Sequence, residues 1–348
     1  MLKKLLIVTP KIDKDDENLG AFYHWFEEFA KRCDKVVIIA DGVGSYSFPE
    51  NVVVYSLGKD KGSGRLIRLW KFWELFSWHY ARTDAVFFHM AMEFVIAASP
   101  FMLSCRKLSA AWYAHKSITW RLKLAERLVY FVFTSSRLGF RIPSKKVIYT
   151  GQAINTQVFK PANRISETSA LRLVTIGRIS PVKNQEIIIR ACEILKNNFG
   201  HAFEFSIVGG PLLPKDQEYL ARLKLMVKEK GLEDCIHFEG SRPYSEIPDI
   251  LRGYDLFVNM SSTGSLDKAV LEAMASGLSV ITSNESYSSI LPPKYFLEHG
   301  SPEFLAERIK SLADEPRPNT GLRSVVEENH SLVKTVDKII NILSENVF

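Results

Sequence analysis

The chain has 348 residues, 46% hydrophobic and 24% charged, which excludes a disordered or fibrous protein and is long for a single core. Its formal net charge of +6 sits in one half: residues 1–150 carry 23 Lys and Arg against 14 Asp and Glu, the remainder 22 against 25. The four cysteines, Cys33, Cys105, Cys192 and Cys235, form no CxxC pair, which argues against a zinc site or disulfide framework and fits a reducing, cytoplasmic compartment.

In chain order, residues 5–9 form an apolar run too short for the core of a signal peptide and read as a first strand. Further strands are expected over 36–40, 52–56, 85–89, 110–115, 130–134 and 145–150, with helices over 21–32, 64–82, 94–104 and 118–127 between most of them. The uncharged stretch 94–105 contains Pro100 and falls short of the ~20 apolar residues that a spanning helix needs. A second series follows a polar stretch at 162–170: strands over 171–177, 204–208, 236–239, 256–259 and 280–282, and helices over 184–198, 216–230, 246–253, 268–276 and 302–314. Strand and helix alternation of this kind predicts an α/β protein of two doubly wound Rossmann-like domains, 1–162 and 163–324. The segment 325–348 has helical apolar spacing, interrupted around Asn329, and is expected to return to the first domain.

Doubly wound sheets bind ligands at the carboxyl ends of their strands, so the loops there are the informative places. Strand 171–177 ends in Gly177-Arg178, and Pro181-Val182-Lys183-Asn184 follows at a helix entrance. A planar guanidinium and a mobile ammonium five residues apart suit a pyrophosphate, although two ordinary loop cations would read the same way. Strand 204–208 ends in Gly209-Gly210-Pro211, where a glycine lets the backbone approach a ligand, or simply makes a turn. Strand 256–259 leads through a small polar loop to a helix opened near Asp267, whose amides attract phosphate. Glu272 lies one turn beyond Lys268, where a carboxylate can accept both hydroxyls of a ribose or remain a plain surface group.

The order Gly-Arg-x-x-Pro-x-Lys-Asn, then Val-Gly-Gly, then Leu-Glu-Ala-Met-Ala-x-Gly over 171–283 resembles the donor half of the family-four retaining glycosyltransferases of GT-B fold. Residues 150–161 resemble that family's interdomain segment, Asn18-Leu19-Gly20 its phosphate-meeting loop, and Tyr113-Ala114-His115 its strand-end histidine beside the transferred sugar. The resemblance implies a GT-B protein whose two domains face a cleft, the first binding acceptor and the second a nucleotide-diphosphate sugar. Arg178 and Lys183 would then bind the diphosphate and stabilise the leaving group, with His115 near the sugar. Glu272 would bind the ribose. Gly20, Gly177, Gly209, Ser265, Leu266, Asp267 and Lys268 would line the donor. No cofactor and no metal is implied, and the sequence has no Asp-x-Asp pair.

One departure stands out. The family's Glu eight residues before Glu272 is replaced by Gly264. Either Asp267 takes over recognition of the sugar, or the donor preference differs, or catalysis has been lost. On the acceptor side, residues 59–82 mingle Lys59, Lys61, Arg65, Arg68 and Lys71 with Trp70, Phe72, Trp73, Phe76 and Trp78. Such a tract is a core helix with a wet basic face or an interfacial membrane segment. With the basic first half it points to a lipid-phosphate acceptor, in glycolipid or polysaccharide assembly, and to peripheral contact with an anionic membrane. A transferase acting on a soluble acceptor and a silent sugar-nucleotide-binding or scaffold module are the alternatives. A nucleic-acid partner is not expected, since no binding motif is present.

Overall fold

The computed structural model of the chain describes residues 2–16, 19–162, 170–198 and 202–347. The expected phosphate-loop residue Asn18 and most of the polar stretch expected to separate the domains lie outside these. The chain forms two units, Met1–Ala153 with His330–Phe348, and Ile154–Asn329.

In the first unit, strands β1 (Lys4–Ile12), β2 (Lys35–Val43), β3 (Val52–Ser56), β4 (Ala85–His89), β5 (Leu108–Trp112), β6 (Phe131–Thr134) and β7 (Val147–Tyr149) pair in the order β3-β2-β1-β4-β5-β6-β7. All of these pairs are parallel. Helices α1 (Tyr23–Ala30), α2 (Arg65–Tyr80), α3 (Met92–Ser104) and α4 (Trp120–Leu128) connect them. The strands are apolar on both faces because helices cover both. Leu5 and Ile7 of β1 share a core with Trp25, Phe26 and Phe29 of α1, whereas Leu6 and Val8 join Phe72 and Phe76 of α2, Val95 of α3 and Leu122 of α4.

The second unit repeats the plan with β8 (Leu171–Ile176), β9 (Phe203–Val208), β10 (Ile236–Gly240), β11 (Leu256–Asn259) and β12 (Ser279–Thr282), in the parallel order β10-β9-β8-β11-β12. Its helices are α5 (Gln185–Asn198), α6 (Pro214–Glu229), α7 (Ile247–Arg252), α8 (Lys268–Ala275), α9 (Pro302–Leu312) and α10 (Thr320–Asn329). The chain winds outward from β8 through β9 to β10, then returns to β11 on the other side of β8. The loops after β8 and β11 therefore diverge at the topological switch point, where open α/β sheets form their ligand crevice.

The last helix, α11 (Leu332–Glu345), belongs to the first unit. Its buried Leu332, Val336, Ile339, Ile340 and Leu343 share the core of α1, Asp337 pairs with Arg32 at 2.5 Å, and the Thr335 hydroxyl donates to the Thr150 carbonyl at 2.7 Å.

The unit boundaries differ from those expected at 162 and 324. Ile154 and Phe159 are already in the second core, as is Val326, whereas Ala153 is in the first. The backbone is also held on the second side, because Arg323 donates to the carbonyls of Phe159 at 3.0 Å and Thr156 at 3.2 Å. A polar stretch marks a surface loop; apolar side chains decide the core to which the flanking residues belong.

Candidate functional site

At the switch point of the second unit, two loops are stitched together. After β8 the chain passes Gly177 and the exposed Arg178, makes a single turn over Pro181–Lys183, and enters α5 through Asn184. Asn184 adopts a left-handed conformation (φ 51°), which asparagine tolerates better than most residues. Its Nδ2 donates to the Met260 carbonyl just beyond β11 at 2.8 Å, and the Ser262 amide donates to the Val182 carbonyl at 3.0 Å. The loop after β9 packs against the first so closely that a Cβ on Gly209 would lie 2.0 Å from the Gly177 carbonyl oxygen.

Asp267 is the centre of this arrangement. Its Oδ2 accepts from Lys183 Nζ at 2.9 Å and from Asn259 Nδ2 at 3.1 Å, and its Oδ1 from the Thr263 hydroxyl at 3.4 Å. The sequence suggested a residue opening α8, and Asp267 does precede it, but its side chain makes no cap hydrogen bond to the helix amides. It is drawn to Lys183 instead. Behind it lies a buried polar relay from the ends of β11 and β12. The Thr282 hydroxyl donates to Asn259 Oδ1 at 3.0 Å and accepts from the Asn284 amide at 3.1 Å; Asn284 Nδ2 then donates to the Ser265 carbonyl at 2.8 Å. The Tyr287 hydroxyl fixes the Asp267 carbonyl at 2.6 Å. Leu266 is buried in the core of this unit, and Lys268 is half-buried on the first turn of α8.

Glu272 is not a surface carboxylate. It is 3% exposed and accepts from the Tyr244 hydroxyl at 2.8 Å. Burial raises its pKa, against the opposing pull of the Tyr244 hydrogen bond and of Lys268 one turn earlier. Burial pushes Lys268 the other way, down. A loop cation at a helix entrance beside a second helix start, with a buried carboxylate one turn inside, is an arrangement able to take a phosphate and a diol.

Of the residues singled out in the sequence, Lys183, Ser265 and Asp267 are joined directly or through this relay, and Gly177, Arg178, Gly209, Leu266, Lys268 and Glu272 belong to the same loops and helix. Gly20 and His115 lie in the first unit. Gly20 is buried in a turn whose amide donates to the Asp16 carbonyl at 2.9 Å. His115 falls beyond β5, which ends three residues earlier than expected, and its exposed ring accepts from the Ser117 amide at 3.1 Å. Its pKa is lowered, by partial burial and then by Lys116. On α2, Phe72 and Phe76 enter the core and Trp73 donates to the Ala97 carbonyl at 2.8 Å, whereas Trp70 and Trp78 stay exposed. Tyr244, Asn259, Thr282 and Asn284 were missed. Asn259 and Thr282 had a signal, a polar residue closing a buried strand, whereas Asn284 sits in the loop beyond β12 and Tyr244 had none, since only folding brings it to Glu272. Among the described residues no cluster of three His, Cys, Asp or Glu is placed to hold a metal ion, and no helix is long and apolar enough to cross a membrane.

Two doubly wound parallel α/β units define the GT-B architecture, and solved structures share it along the whole chain. Anabaena HepE, crystallised with UDP and glucose, superposes with a TM-score of 0.75 at 15% identity, covering 99% of this chain and 100% of HepE. Sucrose-phosphate synthase from Thermosynechococcus elongatus gives 0.74 at 14% identity, covering 99% and 98%. The family model for glycosyl transferases group 1 matches residues 158–332, half of the sequence, and the chain belongs to that family. The amylovoran biosynthesis glycosyltransferase AmsK of Erwinia amylovora is 32% identical over 150 residues, 41% of this chain and 35% of AmsK. One component of the phosphatidylinositol N-acetylglucosaminyltransferase of Arabidopsis thaliana is 26% identical over 196 residues, 55% of this chain and 38% of that protein. The chain thus spans little more than a third of the length of these curated relatives.

Proposed function

We propose that this chain is a retaining, metal-independent glycosyltransferase that binds a nucleotide-diphosphate sugar on its second unit. It passes the sugar to a glycan or lipid-linked acceptor chosen by the first, in glycolipid or polysaccharide assembly. The observation that carries this reading is the convergence of Lys183, Asp267 and the start of α8 at the switch point, with Glu272 buried one turn inside. Lys183 and Arg178 bind the diphosphate, with Gly177, Gly209, Ser265, Leu266 and Lys268 around it, and Glu272 receives the ribose hydroxyls. Asp267 holds Lys183 in place before the donor arrives. As the bond from the sugar's anomeric carbon to phosphate breaks, the developing charge on the leaving phosphate is met by these cations and by amides at the helix start. The acceptor oxygen bonds to the same face of the carbon, and its proton passes to the departing phosphate. His115 contacts the sugar, and no cofactor is required.

The likeness of AmsK supports a glycan product, and that of the inositol-lipid enzyme component supports a lipid-linked acceptor. A cytoplasmic protein held at the inner face of the membrane agrees with both. A second reading, a module that binds sugar nucleotides without transferring them, draws on Gly264 in place of the expected Glu.

A thermal-shift panel of UDP-, GDP- and ADP-sugars tests the donor site, beginning with UDP-sugars because HepE binds UDP. A donor at 100 times its Kd adds about 2.7 kcal/mol of stability, and the shift should vanish in Arg178→Ala and Glu272→Ala. Lys183→Ala should lower kcat/KM by roughly 10²–10³. Near-normal turnover in that variant would reject the assignment, and donor binding without transfer or hydrolysis would favour the silent module. Proton NMR of the product reads retention directly.

A further inference from the structure

The amino-terminal turns of α2 and α4 carry large apolar side chains that the core does not take. On α2, Leu66 is 83% and Trp70 72% exposed, with Ile67 beside them; on α4, Trp120 is 66% exposed, with Ile118 before it and Leu124 one turn on. The two helices share a cavity of about 450 Å³ whose charged lining is four cations, Lys59, Arg65, Arg68 and Arg121, against two carboxylates, Asp41 and Glu93. Asp41 is engaged by Arg68 and, at 3.5 Å, by Lys59. Arg65 opens α2 ahead of Trp70, and Arg121 directly follows Trp120 at the start of α4.

We propose that this surface docks on an anionic bilayer, with Leu66, Ile67, Trp70 and Trp120 entering the interfacial layer and Arg65 and Arg121 meeting lipid phosphates. The inference deepens the lipid-acceptor reading above by naming the surface that would bring the first unit to such an acceptor. Tryptophan, leucine and arginine side by side suit the bilayer interface, where an apolar body is buried while a charged head stays wet. Charge complementarity selects the occupant. A two-fold dimer through this patch would bring the same patch of each copy together, cation against cation, whereas anionic headgroups neutralise both helices at once.

The test is co-sedimentation of the full chain with vesicles of phosphatidylcholine alone and of phosphatidylcholine with phosphatidylglycerol, at low and high salt. The wild type should pellet with the anionic vesicles and release as salt rises. Trp70→Ala with Trp120→Ala should weaken partition roughly tenfold. Arg65→Gln with Arg121→Gln should weaken it about fivefold per cation on anionic vesicles only. Circular dichroism melting checks the fold of each variant, and Leu66→Ser replaces a pair that melts early. A wild type that stays in the supernatant at low salt, or variants that bind as the wild type does, would overturn the proposal. So would a dimer, in sedimentation velocity, that the tryptophan pair abolishes while vesicles are ignored. No donor is added, so no sugar can be transferred in the assay and this result stands apart from whether the chain transfers sugar.

Discussion

At Glu272 stability and proposed binding pull in opposite directions. Its folded-state pKa is raised above the unfolded value, so the buried carboxylate weakens the fold as pH rises from the unfolded pKa through the folded one. The Tyr244 hydrogen bond offsets part of this cost. Glu272→Gln removes the charge and keeps the shape. At pH 7 its Tm should equal or exceed that of the wild type, while the KM for donor rises at least about tenfold because a bidentate acceptor for ribose is gone. A lower Tm with unchanged KM would make Glu272 a purely structural partner of Tyr244. At Asp267 geometry decides: Lys183, Asn259 and Thr263 together hold its carboxylate, which is why a residue suited to capping α8 turns toward the loop instead.

The elements that matter most are the loops that leave β8, β9 and β11, and their close approach depends on backbone as much as on side chains. Gly209 has a φ of 135°, and an added Cβ would strike the Gly177 carbonyl, which has no room to withdraw because the Gly177 amide is bonded to the Val208 carbonyl at 3.0 Å. Gly209→Ala should therefore cost at least about 2 kcal/mol in urea unfolding and reduce donor binding. Gly231, past the end of α6, also has a positive φ, 60°, but an added Cβ there meets nothing within 4 Å. Gly231→Ala should cost only about 1 kcal/mol and leave binding intact. Equal costs at the two positions would mean that backbone conformation alone, and not the approach of the two loops, is at stake. On α2, one helix serves two purposes by its period: Phe72, Phe76 and Tyr80 recur every four residues into the core, while Leu66 and Trp70 lie on the face left outside.

At the scale of the whole molecule, the chain leaves the first unit at Ala153 and returns to it at His330. The return is marked by a buried histidine. The His330 ring accepts from the Gln152 amide at 3.3 Å, and burial pulls its pKa down to about 4. Its folded pKa lies below the unfolded ~6.5, so the fold keeps this contribution above pH 6.5 and loses it as the pH falls toward 4. By linkage the loss reaches roughly 3 kcal/mol at most. In His330→Gln the decline of Tm between pH 6.5 and 4 should be shallower than in the wild type. Parallel pH profiles for the two proteins would mean that His330 does not stay neutral. The same return accounts for α11, whose apolar residues at spacings of three and four complete the core beside α1.

Sequence alone determined the local and periodic part of this protein. Apolar runs of strand length alternating with amphipathic helices predicted every strand and nearly every helix boundary to within a few residues, because such elements bury their own faces whatever follows. It also drew attention to the loops that leave β8, β9 and β11, since glycine, arginine, lysine and proline at strand ends act through backbone geometry and charge that are local properties. Only the tertiary structure decided the rest. Whether Ile154 and Val326 join the first or the second unit, that Asp267 faces Lys183 rather than capping α8, and that Tyr244 meets Glu272 all depend on contacts between residues far apart in the chain. No residue carries in its own neighbourhood the identity of the partner that folding brings to it.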